Sequence, residues 1–444
     1  MFQFPKTQKG VHPLENKNTK DSPVLKLDNF SRVQIPLSMH IGKPCTSIVS
    51  VGDEVLTGQK IADTDAYMSV PIHSSVSGKV KAIRNIIGSA GTAVDVIEIE
   101  SDGQYRFHSD VIPPEVHDKD SFIKAIRESG LVGLGGASFP THVKMSPPKG
   151  KEPEILVVNA AECEPYITSD YRNCMEHPEG IIDGIVNVMK WLSITLAVIG
   201  IEDNKRPAAE LLRQHIDKQG RQDSISVKTL KTIYPQGAEK PLIFQTIGKV
   251  VPSGGLPYDV GTLVLNVSTI LFISEYLRTG IPLIRKVLTI DGGALVERRN
   301  VDVPIGAYIS DIIDAIGGFR EEPAKVIMGG PMMGVSIDRL DLGIIKANNA
   351  ILAFNSKEAQ IPVEMPCIRC SRCVDNCPML LVPTTLDALS RIGDLEGLVR
   401  YNLSDCIECG CCTFVCPAKR YLVQGIRSGK SKALSAAKKP EVKA

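Results

Sequence analysis

Two short runs near the C-terminal end constrain this chain more than anything else in it. "CIRCSRCVDNCP", Cys367 to Pro378, gathers four thiols, and "CIECGCCTFVCP", Cys406 to Pro417, repeats the arrangement. Each follows C-x2-C-x2-C-x3-C-P, the spacing that grips cubane [4Fe–4S] clusters. Three closely spaced cysteines on a loop hold three corners of one cube, while the fourth, followed by proline, points toward the other cube. The expected ligand sets therefore cross over. Cys367, Cys370, Cys373 and Cys416 serve one cluster; Cys406, Cys409, Cys412 and Cys377 serve the other. Paired C-x2-C motifs also make tetrahedral zinc sites, but a third cysteine at the same spacing and a C-P end favour iron–sulfur. Cys411 sits off the spacing and is expected to be a spectator thiol; Cys45, Cys163 and Cys174 lie far away and are expected to be buried or free.

Composition removes other classes. With 444 residues, 43% hydrophobic and 23% charged, the chain has material for two to four domains. A net charge of +1 argues against a nucleic-acid binder. No apolar run approaches the roughly 18 residues of a membrane span, and "ITLAVIGI" from Ile194 predicts a buried strand. The start, "MFQFPKTQKGVHP", lacks the apolar centre of a secretory signal, which predicts a chain kept inside the cell. Thiols stay reduced there, so twelve cysteines favour metal ligation over disulfides.

The spacer between the runs, "MLLVPTTLDALSRIGDLEGLVRYNLSD", has apolar residues at helical intervals, with Thr384 or Thr385 placed to cap a helix. It resembles the helical ferredoxin modules of multi-subunit redox enzymes, which relay electrons one at a time. Upstream, "GLVGLGGASFPTHVKM" carries Gly133, Gly135 and Gly136, yet Ser138 stands where a G-x-G-x-x-G fingerprint needs its last glycine. The loop also follows a helical pattern, "DSFIKAIRES", and precedes a strand, the reverse of a Rossmann fingerprint. By itself it is equally a plain glycine turn.

The next segments give it meaning. In "EILVVNAAECEPYITSDY" a buried strand, Ile155 to Val158, ends on Asn159, Glu162 and Glu164, where open α/β sheets bind ligands. A helix from Glu176 to Trp191, the strand "ITLAVIGI", a helix through "RPAAELLRQHI" and the strand "SISVKTL" predict a doubly wound parallel sheet.

Here a resemblance becomes specific. "GLGGASFPTHVK", "NAAECEP", "YPQGAEKPLI" and "VLNVST" are similar, in the same order, to four loops of the flavin-carrying, NADH-binding subunit of respiratory complex I. The resemblance implies FMN as cofactor and NAD(H) as substrate. It places Gly133, Gly135, Gly136 and Lys144 near phosphate and flavin, and Asn159, Glu162 and Glu164 at the flavin edge and nicotinamide. Gly237, Glu239, Asn266, Ser268 and Thr269 follow in the third and fourth loops. Glycines let backbone N–H groups approach phosphate, and Lys144 adds compensating charge. Hydride transfer belongs to the flavin, so no side chain need act as acid or base. Leu134 stands where the complex I loop has arginine, and Ala161 where it has aspartate.

Flanking segments complete the order. "SIVSVGDEVLTGQKIADTDAYMSVPIHSSVSGKVKAI" resembles a biotinyl or lipoyl domain whose tip, around "AYMSVP", lacks the carrier lysine. His12 and His73 are expected to be ordinary surface or core residues. "KVLTIDGGALVERRNVDVPIGAYISDIIDAIGGFREEPAKVIMGGPMMG" resembles the soluble-ligand-binding β-grasp (SLBB) domain, with Gly329 to Gly334 as a tight strand-end turn. The expected class is multidomain α/β. An N-terminal extension spans 1–30, a barrel-sandwich hybrid 31–105, and a Rossmann-like FMN and NADH domain 115–280. A β-grasp domain follows over 281–356, a helical double [4Fe–4S] ferredoxin domain over 357–425, and a solvated basic tail over 426–444.

This order, with "GVHPLENK" and "PLSMHIGKPC", resembles the RnfC family. That resemblance implies an electron-input subunit of a membrane-bound, ion-translocating NAD:ferredoxin oxidoreductase, peripheral on the cytoplasmic face of the cell membrane. Its implied partners are the membrane-embedded and iron–sulfur Rnf subunits, ferredoxin through the complex, and NADH, with no nucleic acid. Two alternatives share the architecture. One is a soluble RnfC-like reductase serving a cobalamin or amino-acid reductase; the other is an iron–sulfur scaffold without flavin.

Overall fold

The computed structural model of the chain describes residues 9–438. Alternation of apolar residues in "RVQIP" and in the two long strands after it sets the first unit. Arg32–Pro36, Ala93–Ser101, Gly78–Ile87 and Glu54–Val55 form an antiparallel sheet. Thr46–Ser47, Lys60–Asp63 and Ile72–His73 form a second. Val33, Ile35, Ile61, Ile72, Ile97 and Ile99 fill the space between them and are almost wholly buried. This core runs on without a break into that of the next unit, through Leu131, Val132 and Leu156.

That unit begins with helix α1 (Lys119–Glu128) and alternates strand and helix: β1 (Ile155–Ala160), α2 (Ser169–Glu176), α3 (Pro178–Leu192), β2 (Leu196–Glu202), α4 (Arg206–Lys218), β3 (Ile225–Leu230), α5 (Glu239–Ile247), β4 (Thr262–Asn266) and α6 (Val267–Thr279). The four strands are parallel in the order β3-β2-β1-β4. Val157 and Val264 point to one face and pack with Leu242 and Ile243 of α5. Leu156, Val158, Leu263 and Leu265 point to the other, against α3, α4 and α6. Burial on both faces is why these strands are continuous apolar runs. The single helix expected from Glu176 to Trp191 is two helices, α2 and α3, because Pro178 has no N–H to continue the first and suits the first turn of the second. Strand order reverses between β1 and β4, which opens a crevice at their C-terminal ends.

Next comes a six-stranded mixed sheet with helix Ile309–Ala315 on it. Its edge strand is Leu25–Lys26, parallel to Val301 and Asp302. The N-terminal extension is thus part of this sheet rather than a separate appendage.

The cysteine runs sit on short turns, Arg372–Asp375 and Cys411–Phe414, among helices Pro383–Ile392, Leu395–Arg400 and Leu422–Lys438. Two expectations need correction. Neither Thr384 nor Thr385 caps a helix; Pro383 opens it, and the Thr384 hydroxyl lies 3.7 Å from Cys367 Sγ. The basic tail is not solvated coil from 426 onward, since the last helix runs to residue 438. Leu422 and Ile426 are buried in it. Gly425 and Gly429 let it press on the helix Pro383–Ile392, where an added Cβ would lie 2.1 Å from Asp387 Oδ1 and 2.2 Å from Ser390 Oγ. Residues 439–444 of the expected tail lie outside the described residues. No helix among the described residues is long and apolar enough to cross a membrane.

Candidate functional site

The eight motif cysteines line two cavities. Cys367, Cys370, Cys373 and Cys416 border an outer one of about 600 Å³, together with Thr384, Arg369 and Arg420. Cys377, Cys406, Cys409 and Cys412 border an inner one of about 360 Å³, with Cys411 also on its wall. The fourth cysteine of each run faces the other run's cavity. The two loops share a backbone device: Arg369 and Glu408, two residues after each first cysteine, have φ of 56°, and Ser371 and Gly410, two further on, have φ of 61° and 80°. Successive left-handed residues of this kind curl a loop around a concavity and turn its N–H groups inward. The Arg369 N–H reaches Cys367 Sγ at 3.4 Å, and the Leu381 N–H reaches Cys377 Sγ at 3.4 Å. The thiols surround space rather than a point: among the described residues no group of three or more His, Cys, Asp or Glu is arranged to hold a single metal ion. Burial raises the Cys377 thiol to about 11, so loading that cavity with metal releases protons.

At the crevice, Asn159 closes β1 and Asn266 closes β4, and the two are register partners. Asn266 caps α6, its side-chain oxygen accepting from the N–H of Ser268 at 2.9 Å and of Thr269 at 3.3 Å, while its amide donates to Asp170 at 2.7 Å. Ser268 also donates to Asp170, at 2.5 Å. The Thr269 hydroxyl accepts from the N–H of Leu134 at 2.9 Å, which ties the glycine loop to the same helix end. An added Cβ on Gly135 would meet Asn266 at 3.3 Å, so the loop approaches β4 as closely as glycine allows. Gly136 has φ of 109°, which side chains rarely adopt, and Gly133 faces only backbone. Among the described residues the N–H groups of Gly135 and Gly136 have no partner. Free N–H groups beside a capped helix start suit a phosphate, as FMN requires.

The other expected residues are placed less uniformly. Asn159 donates to the Gly237 carbonyl at 2.7 Å, joining the second and third loops. Lys144 pairs with Glu239 at 2.5 Å and donates to the Val264 carbonyl at 3.0 Å, so these two residues neutralise each other. Glu162 turns to the start of α2 and accepts from the N–H of Asp170 and Tyr171 at 2.6 and 3.2 Å. Glu164 turns away from the crevice and accepts from the N–H of Met332 and Met333 at 3.1 and 2.9 Å. The turn Gly329 to Gly334 needs its glycines for this: a Cβ on Gly330 would fall 2.2 Å from Glu164 Oε2. Burial pushes both carboxyls up to about 7.

Several residues at the site carry no motif signal. Lys17, inside "GVHPLENK", gathers the carbonyls of Glu162, Glu164 and Ile167 at 2.9, 2.9 and 2.5 Å. Its approach shapes the acidic loop from outside the domain. Tyr234, whose peptide with Pro235 is cis, donates its hydroxyl to the Cys409 carbonyl at 2.8 Å. The Tyr234 carbonyl lies 3.7 Å from Cys411 Sγ, and the Gly237 N–H lies 3.3 Å from Cys163 Sγ. Cys411 is therefore packed between the inner cavity and the third loop. Val11, Tyr234, Cys409 and Cys411 form one buried cluster, with Cys163 and Met332 against it. The crevice and the inner cavity share this wall.

Comparisons with known proteins follow the same division. The Nuo51 FMN-binding domain matches residues 126–275, the RnfC barrel sandwich hybrid domain residues 5–104, and the 4Fe-4S dicluster domain residues 366–421. The RnfC subunit of the proton-translocating ferredoxin:NAD(+) oxidoreductase complex of Clostridium ljungdahlii is 43% identical over 441 residues, covering 98% of this chain and 95% of the relative. Its counterpart in the Na(+)-translocating ferredoxin:NAD(+) oxidoreductase complex of Acetobacterium woodii is 40% identical, covering 97% of each. Among solved structures, a chain of the NAD+-reducing [NiFe]-hydrogenase in the air-oxidized state superposes with a TM-score of 0.52 at 16% identity, over 74% of this chain and 69% of that one, a likeness of fold alone. With two near full-length relatives above 30% identity and its own barrel-sandwich match, the chain belongs to the RnfC family of the ion-translocating ferredoxin:NAD(+) oxidoreductases.

Proposed function

We propose that the chain is the electron-input subunit of a membrane-bound, ion-translocating NAD:ferredoxin oxidoreductase. The observation that carries this reading is the protein bridge between the two sites. It runs from Asn159 to Gly237, back three residues along the third loop, and across the Tyr234 hydroxyl to Cys409. Bound at the two sites, FMN supplies the exchange between the paired electrons of NADH and the single electrons that two [4Fe–4S] clusters carry.

The chain's own residues hold, orient and insulate. Cys377, Cys406, Cys409 and Cys412 hold the inner cluster, and Cys367, Cys370, Cys373 and Cys416 the outer one; their cavities support the crossed sets. Gly133, Gly135 and Gly136, with Asn266, Ser268 and Thr269, receive the flavin phosphate. Asn159 and Gly237 fix the edge nearest the inner cavity. Lys144 and Glu239 form an ion pair at the rim that opens to admit nucleotide. Glu162 and Glu164 shape the acidic loop through the N–H groups they accept. Cys367 and Cys370 are exposed, which makes the outer cluster the exit toward partner subunits and ferredoxin. The six-stranded sheet is read as a β-grasp (SLBB) domain and the first unit as a docking module without a carrier lysine. The subunit sits peripherally on the cytoplasmic face, and ion movement belongs to its membrane partners.

Anaerobic purification with assay of iron, sulfide and released flavin, followed by addition of NADH, tests the reading. FMN and about eight irons are expected, with NADH bleaching both chromophores. Clusters that never respond to NADH, with no flavin released, would refute it.

A further inference from the structure

Lys286 plays no part in the site as described. It lies on the strand Arg285–Asp291 of the six-stranded sheet, and 6% of it is exposed. Its ammonium donates to the carbonyl of Leu134 at 3.0 Å, reaching from that sheet into the glycine loop. No carboxylate pairs with it among the described residues. The acid that acts on it, Asp170, already accepts from Asn266 and Ser268. A buried ammonium without a counter-charge is costly, and burial draws this one down to about 8.

What Lys286 grips is the peptide that opens the loop. The N–H of Leu134 is fixed by Thr269 and its carbonyl by Lys286. A trans peptide sets its C=O and N–H in opposite directions. With the Leu134 carbonyl turned to Lys286, the N–H of Gly135 points away from Lys286, and it has no partner among the described residues. A second buried lysine, Lys346, holds the Gly130 carbonyl at 2.6 Å. The loop is thus held through its carbonyls at both ends, by cations from outside its own domain.

We propose that Lys286 is a positioning residue for the phosphate of the flavin nucleotide. Through the Leu134 carbonyl it orients and polarises the Leu134–Gly135 peptide, so that the Gly135 N–H meets the dianion as a strengthened donor. Hydrogen bonds in a chain polarise one another, and a charged end enhances the effect. The ammonium gains in return the negative charge it lacks. The inference rests on the reading of this loop as the FMN cradle.

The test separates phosphate from ring. The full chain is stripped of flavin and titrated with FMN and with riboflavin, which has the same ring and no phosphate. Wild type, Lys286→Met and Lys286→Gln are compared, with thermal melts run alongside. Wild type is expected to prefer FMN. Lys286→Met should weaken FMN about ten-fold, as for loss of a charged hydrogen bond, and riboflavin by less than about two-fold. Lys286→Gln, which keeps a neutral donor, should fall between. Equal weakening of both flavins, or an undiminished FMN preference in both variants, would overturn the proposal. A wild type with no preference for FMN would instead remove the underlying reading of the loop.

Discussion

The two cysteine cavities come from one motif, yet the chain treats them differently. The inner cavity has Cys377, Cys409 and Cys412 buried, shares a wall with the crevice through Tyr234, and is gripped from behind by the last helix. There Lys430 donates to the Cys406 carbonyl at 2.7 Å and to Glu408 at 3.0 Å, and Arg427 donates to Glu408. The outer cavity has Cys367 and Cys370 exposed, with Ile361, Val363 and Ile368 open to solvent nearby. Identical ligand spacing therefore fixes what is held, and the surroundings fix what each site exchanges electrons with.

Cysteine replacements give the largest expected effects on that contrast. Cys370→Ser should lower iron from about eight to about four and leave the inner cluster reducible by NADH. Cys409→Ser should lower iron equally but leave no cluster that NADH reduces quickly. Cys377→Ala, although in the first run, should behave like Cys409→Ser in low-temperature electron paramagnetic resonance. If it instead altered only the outer signal, the crossed assignment would fail.

A smaller effect is expected at the shared wall. Tyr234→Phe removes the hydroxyl that reaches Cys409 and should cost about 1 kcal/mol, the usual worth of a hydrogen bond. Stopped-flow reduction by NADH should show the inner cluster slowed and flavin reduction unchanged. If both phases stay at wild-type rates, the hydroxyl is only a structural contact and the bridge lies elsewhere.

The smallest concerns pH. Burial raises Glu164 to about 7, so the folded chain binds its proton more tightly than the unfolded chain does. Its contribution to stability is therefore present at low pH and is lost as pH rises from about 4.5 toward 7. Glu164→Gln should flatten the decline in melting temperature between pH 5 and pH 7.5. Glu162, shifted in the same direction, leaves a residual slope. An unchanged slope in the variant would place the titration elsewhere.

What the sequence disclosed divides along a physical line. Ligand chemistry was legible, because cubane geometry fixes cysteine spacing locally and β1 and β4 announce themselves as apolar runs ending in asparagine. Contacts between distant segments were not. Lys17, Lys286, Lys346 and Tyr234 look ordinary in their own segments, and each acts on a loop from another part of the chain. Glu162 and Glu164 were found as site residues, but that each binds backbone N–H groups depends on α2 and on the turn at Gly330, which no local pattern encodes. The helix at the C-terminal end was missed because its lysines and serines suggest solvent, while the glycines that let it pack look like flexibility.

The N-terminal segment carries a consequence for how the molecule is made. Between Val11 and Lys26 it pairs with Tyr234, lends Lys17 to the acidic loop and adds a strand beside Val301. A ribosome delivers this segment first and its partners hundreds of residues later, so the earliest part of the chain must wait for most of the rest before it has anywhere to go. The acidic loop takes its final shape only on that late return, and cofactor loading is thereby tied to completion of the chain.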